Sequence, residues 1–91
     1  TFREILKEFV GPSMANAKDI ETAFENRSAS DVAAGAHKLK SSSRSVGATE
    51  LADICNGLET AGKNDDWNTI NELVPRLPGV MQKIGDYIEN L

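Results

Sequence analysis

Apolar residues recur along the chain at intervals of three and four, and no two-residue alternation of β-branched or aromatic side chains persists, so the pattern predicts helices throughout. Phe2, Ile5, Leu6, Phe9 and Val10 form a first stripe. The Gly-Pro-Ser run at 11–13 follows it, and these residue types predict a turn with Ser13 capping the next helix. Met14, Ala17, Ile20, Ala23 and Phe24 make a second stripe, with Lys18, Glu21 and Glu25 on the opposite side, and this helix is expected to end near Arg27. Ser28 or Ser30 can cap a third helix that carries Asp31 in its first turn and stops at Gly47, a residue suited to a left-handed terminal turn. A fourth places Leu51, Ile54, Cys55 and Leu58 on one face and is expected to stop at Gly62, after which residues 64–66 offer new caps.

From Trp67 onward, Ile70, Leu73, Val74, Leu77, Val80, Met81, Ile84, Ile88 and Leu91 keep one helical register although Pro75 and Pro78 interrupt it. An interior proline costs about 3 kcal/mol and removes a backbone hydrogen bond, which predicts a kink or break within 75–79. The unbroken register requires both halves to face one core. The elements together predict an all-α fold: an antiparallel four-helix bundle with a short extra N-terminal helix, residues 1–91 forming a single domain.

Composition narrows the picture. Ninety-one residues at 40% hydrophobic content suffice for one small core and not for two. A formal net charge of −4 disfavours nucleic acid and anionic membrane surfaces as partners. The single Cys55 excludes an internal disulfide, and no apolar run approaches the roughly 20 residues of a spanning helix, so a cytoplasmic location without direct membrane contact is expected. The first residue is Thr1 rather than Met, and the chain is expected to be a piece of a longer protein. One histidine and one cysteine on separate helices make a metal site improbable.

The only histidine, His37, lies on the third helix in a stretch where the ionic residues between Asp31 and Glu50 are Lys38, Lys40 and Arg44, all cationic, in a chain with 14 acids. At about 100° per residue the apolar Val32, Leu39 and Val46 fall roughly 180–220° from His37, so its imidazole is expected in solvent. Lys40, Ser41, Arg44, Ala33 and Ala34 fall within about 60° of it and are expected to share its exposed face. A lone histidine in a helical protein is commonly an indifferent surface residue, but three cations with no intervening acid suit a compact dianion such as a phosphoryl group. An imidazole at neutral pH offers a nucleophilic lone pair, and phosphoryl transfer asks mainly for positioning and charge, which Lys40 one turn away can supply. The local absence of an acid to activate water favours a carrier over a hydrolase.

The segment "AHKLKSSSRSVGATELADICNGLE", residues 36–59, resembles the signature of histidine-containing phosphotransfer domains of multistep phosphorelays through His37, Lys40, the serines Ser41, Ser42 and Ser43, Gly47, Ala48, Leu51, Cys55, Leu58 and Glu59. Ser41 stands where glycine is commoner in that family. The resemblance implies a helical bundle in which His37 takes a phosphoryl group from a receiver-domain aspartate and passes it to another receiver or back, with Lys40 stabilising the phosphoryl oxygens. It further implies that Ser41 contacts the phosphoryl group or keeps the surface low; the small Ala33 and Ala34 on the His37 face, and the cations Lys38 and Arg44, are expected to face the partner. The domain would be a phosphocarrier rather than an enzyme, a monomer without a cofactor of its own, with Mg2+ expected in the receiver and a hybrid sensor histidine kinase, itself membrane-bound, as a candidate parent chain. Two other readings remain: a non-catalytic helical scaffold docking an acidic partner, and the phosphoacceptor domain of a chemotaxis-type histidine kinase, although those commonly carry a glycine-rich "HSxKG" pattern that this chain lacks.

Overall fold

A computed structural model describes residues 2–90, without the side chains at positions 2, 3 and 6. The side chains of Phe2 and Leu6 in the first predicted stripe, and Leu91 at the other end, lie outside what the structure describes.

The first helix, α1, runs unbroken over Phe2–Glu25 with Pro12 inside it, so the separate short N-terminal helix expected from the 11–13 run does not form. The proline removes one N–H, and the carbonyl it frees, four residues back at Glu8, sits on an exposed turn where water can take the bond. Register decides the outcome. Phe9, Ser13, Ala17 and Ile20 follow at four, four and three residues and are all buried, so one continuous element serves the core. Ser13 is therefore a core position and not a cap, its hydroxyl buried without a hydrogen-bond partner. The same phase turns Ile5 and Met14 outward, where both are more than half exposed.

The next helix, α2, spans Ala29–Ser45, and α3 spans Thr49–Lys63. Ser28 occupies the N-cap position of α2 without a side-chain cap bond, and Asp31 lies in the first turn as expected. At the end of α2, Gly47 adopts φ +76°, with Ala48 N–H donating to Ser43 O at 2.9 Å and Gly47 N–H to Arg44 O at 3.3 Å, the paired reverse bonds of a Schellman turn. Two non-glycine residues repeat this turn at the ends of α1 and α3. Arg27 (φ +56°) follows α1, where Ser28 N–H reaches Ala23 O at 2.9 Å. Asp65 (φ +52°) follows α3, where Asp66 N–H reaches Ala61 O at 2.8 Å. A left-handed conformation costs an L-residue with a Cβ roughly 1–2 kcal/mol. Arg27 recovers part of that by stacking its guanidinium 4.7 Å from the Trp67 ring centroid, a contact worth about 0.5–1 kcal/mol at an exposed site.

Helix α3 does not stop at Gly62. Gly62 is buried inside it, and a Cβ there would stand 2.7 Å from Ala29 O and 2.9 Å from Ala33 N. The glycine is thus the point where α2 and α3 approach backbone to backbone, which sets the two helices close enough for their side chains to meet farther along.

Asp66 caps α4 (Trp67–Leu73) by accepting from Thr69 N–H at 3.3 Å and Thr69 Oγ1 at 2.7 Å. A single 3-10 turn over Val74–Arg76 then leads into α5 (Leu77–Glu89), so the expected break is present and falls at the start of the 75–79 window. Pro75 falls at the start of the 3-10 turn and Pro78 at the start of α5, positions where an N–H has no acceptor within its own segment and its loss is tolerated. Ile70, Val74, Leu77, Val80 and Ile88 remain buried across it, because the 3-10 turn preserves the facing of both halves. With α4, the turn and α5 counted as one broken helix, the architecture is an all-α four-helix bundle. Its centre is packed by the fully buried Ile20, Val32, Leu39, Leu51, Cys55, Leu58, Ile70 and Leu77.

Candidate functional site

His37 projects from the middle of α2 with 63% of its side chain exposed, as the helical angle requires. The surroundings differ from the local sequence in one respect: an acid is present. Glu59, on α3, brings Oε2 to 2.7 Å from His37 Nδ1, and the ammonium of Lys40 binds Oε1 of the same carboxylate. Lys63, one turn along α3, places Nζ 3.6 Å from Oε2. The acid-free reading of residues 31–50 missed this contact because Glu59 is separated from His37 by 22 positions and arrives through helix packing.

Glu59 is itself buried, with 7% of the residue exposed, and Lys40 and His37 hold its carboxyl down to about 2, Lys40 the stronger cause, against the opposing effect of burial. An ionised carboxylate only accepts hydrogen bonds, so the hydrogen in the His37–Glu59 contact belongs to Nδ1. That assigns the tautomer. In the neutral ring the lone pair is then on Nε2, the nitrogen that does not face Glu59.

The other site residues divide. Lys40 is not in solvent as its angle suggested; its side chain is 14% exposed because the ammonium turns toward Glu59. Ser41 is exposed, but its hydroxyl donates to the His37 carbonyl at 3.3 Å. Ala33 corrects the expected exposure: it is 7% exposed and packed against Gly62, so its smallness serves the α2–α3 contact, although it still lines the hollow that holds His37. Ala34 and Lys38 are exposed and line a hollow between α2 and α3 that includes His37, and Arg27, Lys63 and Asp65 complete its rim. Arg44 is exposed on α2 outside that hollow.

Glu59, Lys63, Arg27 and Asp65 were not singled out as site residues by composition or spacing. Glu59 alone had a legible signal. It continues the buried positions Leu51 and Cys55 at an interval of four, and an acid on an apolar stripe demands a cationic or N–H partner. Cys55 is fully buried and burial pushes its thiol up to about 12, with the Lys40 charge opposing, so it is packing rather than a nucleophile. Among the described residues no group of three His, Cys, Asp or Glu could hold a metal ion, and no helix is long and apolar enough to cross a membrane.

A bundle presenting one imidazole, oriented from behind by a carboxylate and open in front, suits a module that carries a group on histidine. The family model for the Hpt domain matches residues 4–90, essentially the whole chain, and the protein belongs to that family. Hpt domains are phosphotransfer carriers of two-component phosphorelays and interact with receiver domains. No curated protein and no solved structure matches the chain.

Proposed function

We propose that His37 accepts a phosphoryl group on Nε2 from the aspartyl phosphate of a receiver domain and passes it to the aspartate of another receiver, or returns it. The observation that carries this reading is the His37 Nδ1–Glu59 hydrogen bond, which in the neutral ring directs the lone pair to Nε2 on an exposed side chain. In the forward step the Nε2 lone pair forms the N–P bond as the acyl P–O bond breaks, releasing the donor's carboxylate. The Nδ1 proton stays in place, the ring gains positive charge, and Glu59 faces that charge at 2.7 Å. Lys40 keeps Glu59 ionised from the Nδ1 side of the ring, and its positive charge, one turn from His37, adds to the local field that the phosphoryl group enters. Glu59 contacts Nδ1, across the ring from the phosphoryl group, and is not placed to activate a water on phosphorus, so the phosphohistidine persists for onward transfer.

Lys38, Arg44, Ser41 and Ala34 belong to the face a receiver covers: the cations meet its charge and the small side chains admit its approach. Residues 1–91 act as one monomeric, cytoplasmic carrier domain without a cofactor of its own. The Mg2+ of the reaction resides in the receiver, and a hybrid sensor histidine kinase is the parent chain we favour. A pure scaffold would have no use for a histidine held by a buried carboxylate.

Incubation with a phosphorylated receiver tests the proposal. The label is expected on His37 alone, stable in base and labile in acid, with heteronuclear NMR assigning it to Nε2, and His37→Gln abolishing it. Full labelling of His37→Gln would overturn the proposal. Labelling that requires ATP and a kinase domain, with no transfer from any receiver, would point instead to a kinase phosphoacceptor domain.

A further inference from the structure

The geometry points to Arg27 as a residue that selects the receiver, docking a carboxylate beside the partner's aspartyl phosphate. The inference rests on the carrier reading above and adds a recognition residue outside the motif around His37.

Three helices of this bundle end in the same reverse-bonded turn, whose pivot needs a left-handed backbone. Between α2 and α3 the pivot is Gly47, the residue with no steric objection. Between α1 and α2 it is Arg27, at φ +56°, and a long cationic side chain there is neither the easiest residue nor one repeatedly found at such pivots. Its stacking on Trp67 offsets the strain only in part, so folding alone leaves the choice unexplained. Location supplies the missing reason. Arg27 is exposed and lines the hollow that also holds His37, Lys38 and Lys63.

The stack also gives the side chain a defined pose. The guanidinium carbon lies over the Trp67 ring, 4.7 Å from its centroid, and Trp67 is in contact with Phe24, 6.4 Å away between ring centroids. A guanidinium anchored over an aromatic ring spends no N–H on a protein acceptor, so its donors stay available to bind a carboxylate bidentately. The acids on the same hollow do not compete strongly: Glu59 is engaged by His37, Lys40 and Lys63, leaving Asp65 as the one other carboxylate on the rim. The cations Arg27, Lys38 and Lys63 therefore form a rim complementary to an acidic receiver face, and Arg27 is the member with a fixed orientation.

The experiment compares wild type, Arg27→Gly and Arg27→Glu in transfer from a panel of receiver domains phosphorylated with acetyl phosphate, at low and high salt, with phosphoramidate as a small donor that needs no docking. Arg27→Gly relieves the backbone strain and is expected to keep helix content and to label from phosphoramidate at the wild-type rate. From receivers that serve wild type it should lose about ten-fold in kcat/KM, carried by KM, with a shallower salt dependence, and Arg27→Glu should lose more. Wild-type kcat/KM for Arg27→Gly with every receiver would overturn the inference alone. Equal loss with phosphoramidate and receivers would also overturn it, since Arg27 would then act on His37 rather than on a partner. A wild-type chain that takes no phosphoryl group from any receiver would instead remove the carrier reading, and this inference with it. If Arg27→Gly melts too low to assay, Arg27→Gln, which keeps a side chain on the Trp67 ring without the charge, gives the same comparison.

Discussion

Glu59 concentrates the chemistry of the site at the residue scale, because one buried carboxylate orients the nucleophile, faces the charge the ring acquires and pairs with Lys40. Its roles can be separated. Glu59→Gln keeps an oxygen that accepts from Nδ1 but removes the negative charge, and it is expected to slow labelling of His37 by phosphoramidate only a few-fold. Glu59→Ala removes both and is expected to lose about ten-fold or more, at least ~1.4 kcal/mol of transition-state stabilisation, in the same single-turnover measurement. Lys40→Ala tests the other side of the pair. It leaves a buried carboxylate short of its strongest partner, so it should destabilise the fold by about 1–3 kcal/mol as well as slow transfer, read by urea denaturation beside the labelling assay. An unchanged unfolding midpoint would mean that Lys63 and water replace Lys40 without loss. The position of His37 was legible in the sequence because helical angle alone places it opposite Val32, Leu39 and Val46. The whereabouts of Lys40 was not, since a flexible ammonium follows its counter-charge, and that charge lies on another helix.

At the scale of the elements, the neighbouring alanines on α2 separate surface from interface. Ala33 packs on Gly62 where the two helix backbones nearly touch, while Ala34 is open to solvent. Ala33→Arg is expected to force α2 and α3 apart and destabilise the bundle by 3 kcal/mol or more on the scale of severe overpacking, about 10–20 °C in melting temperature for a domain of this size, whereas Ala34→Arg should shift it by less than about 0.5 kcal/mol. Ala34→Arg should nevertheless weaken transfer from a receiver and spare phosphoramidate labelling, a contrast that separates docking from chemistry. Angular bookkeeping on one helix could not distinguish the two alanines, because it has no knowledge of where the neighbouring helix comes closest. The same limit explains α1. The Gly-Pro-Ser run reads as punctuation locally, but the unbroken burial of Phe9, Ser13, Ala17 and Ile20 outweighs one lost hydrogen bond on an exposed turn. Near Pro75 and Pro78 the local signal prevailed, because the prolines could fall at the start of new segments.

For the whole molecule, the site is coupled to stability through acid. Folding lowers the Glu59 carboxyl from an ordinary 4.5 to about 2, chiefly through Lys40 and then His37, so the native state binds this proton more weakly than the unfolded chain does. The stabilisation is therefore fully present above about pH 4.5 and is lost as pH falls toward 2. Asp66 acts in the same direction, its carboxyl held down by the hydrogen bonds from Thr69 that cap α4, so it shares the acid limb without touching the phosphotransfer site. The two contributions can be told apart by substitution. Thermal melts from pH 6 to pH 2 should show wild-type stability falling through this window, Glu59→Gln should start lower and fall less steeply, and Asp66→Asn should flatten only the share due to the α4 cap. The single tryptophan, Trp67, begins the helix that Asp66 caps, so its fluorescence should follow the cap, while the His37 ring resonances follow Glu59. If Glu59→Gln kept the full wild-type slope while its His37 resonances changed, the carboxylate would orient the imidazole without contributing to folding, and the acid limb would not belong to Glu59.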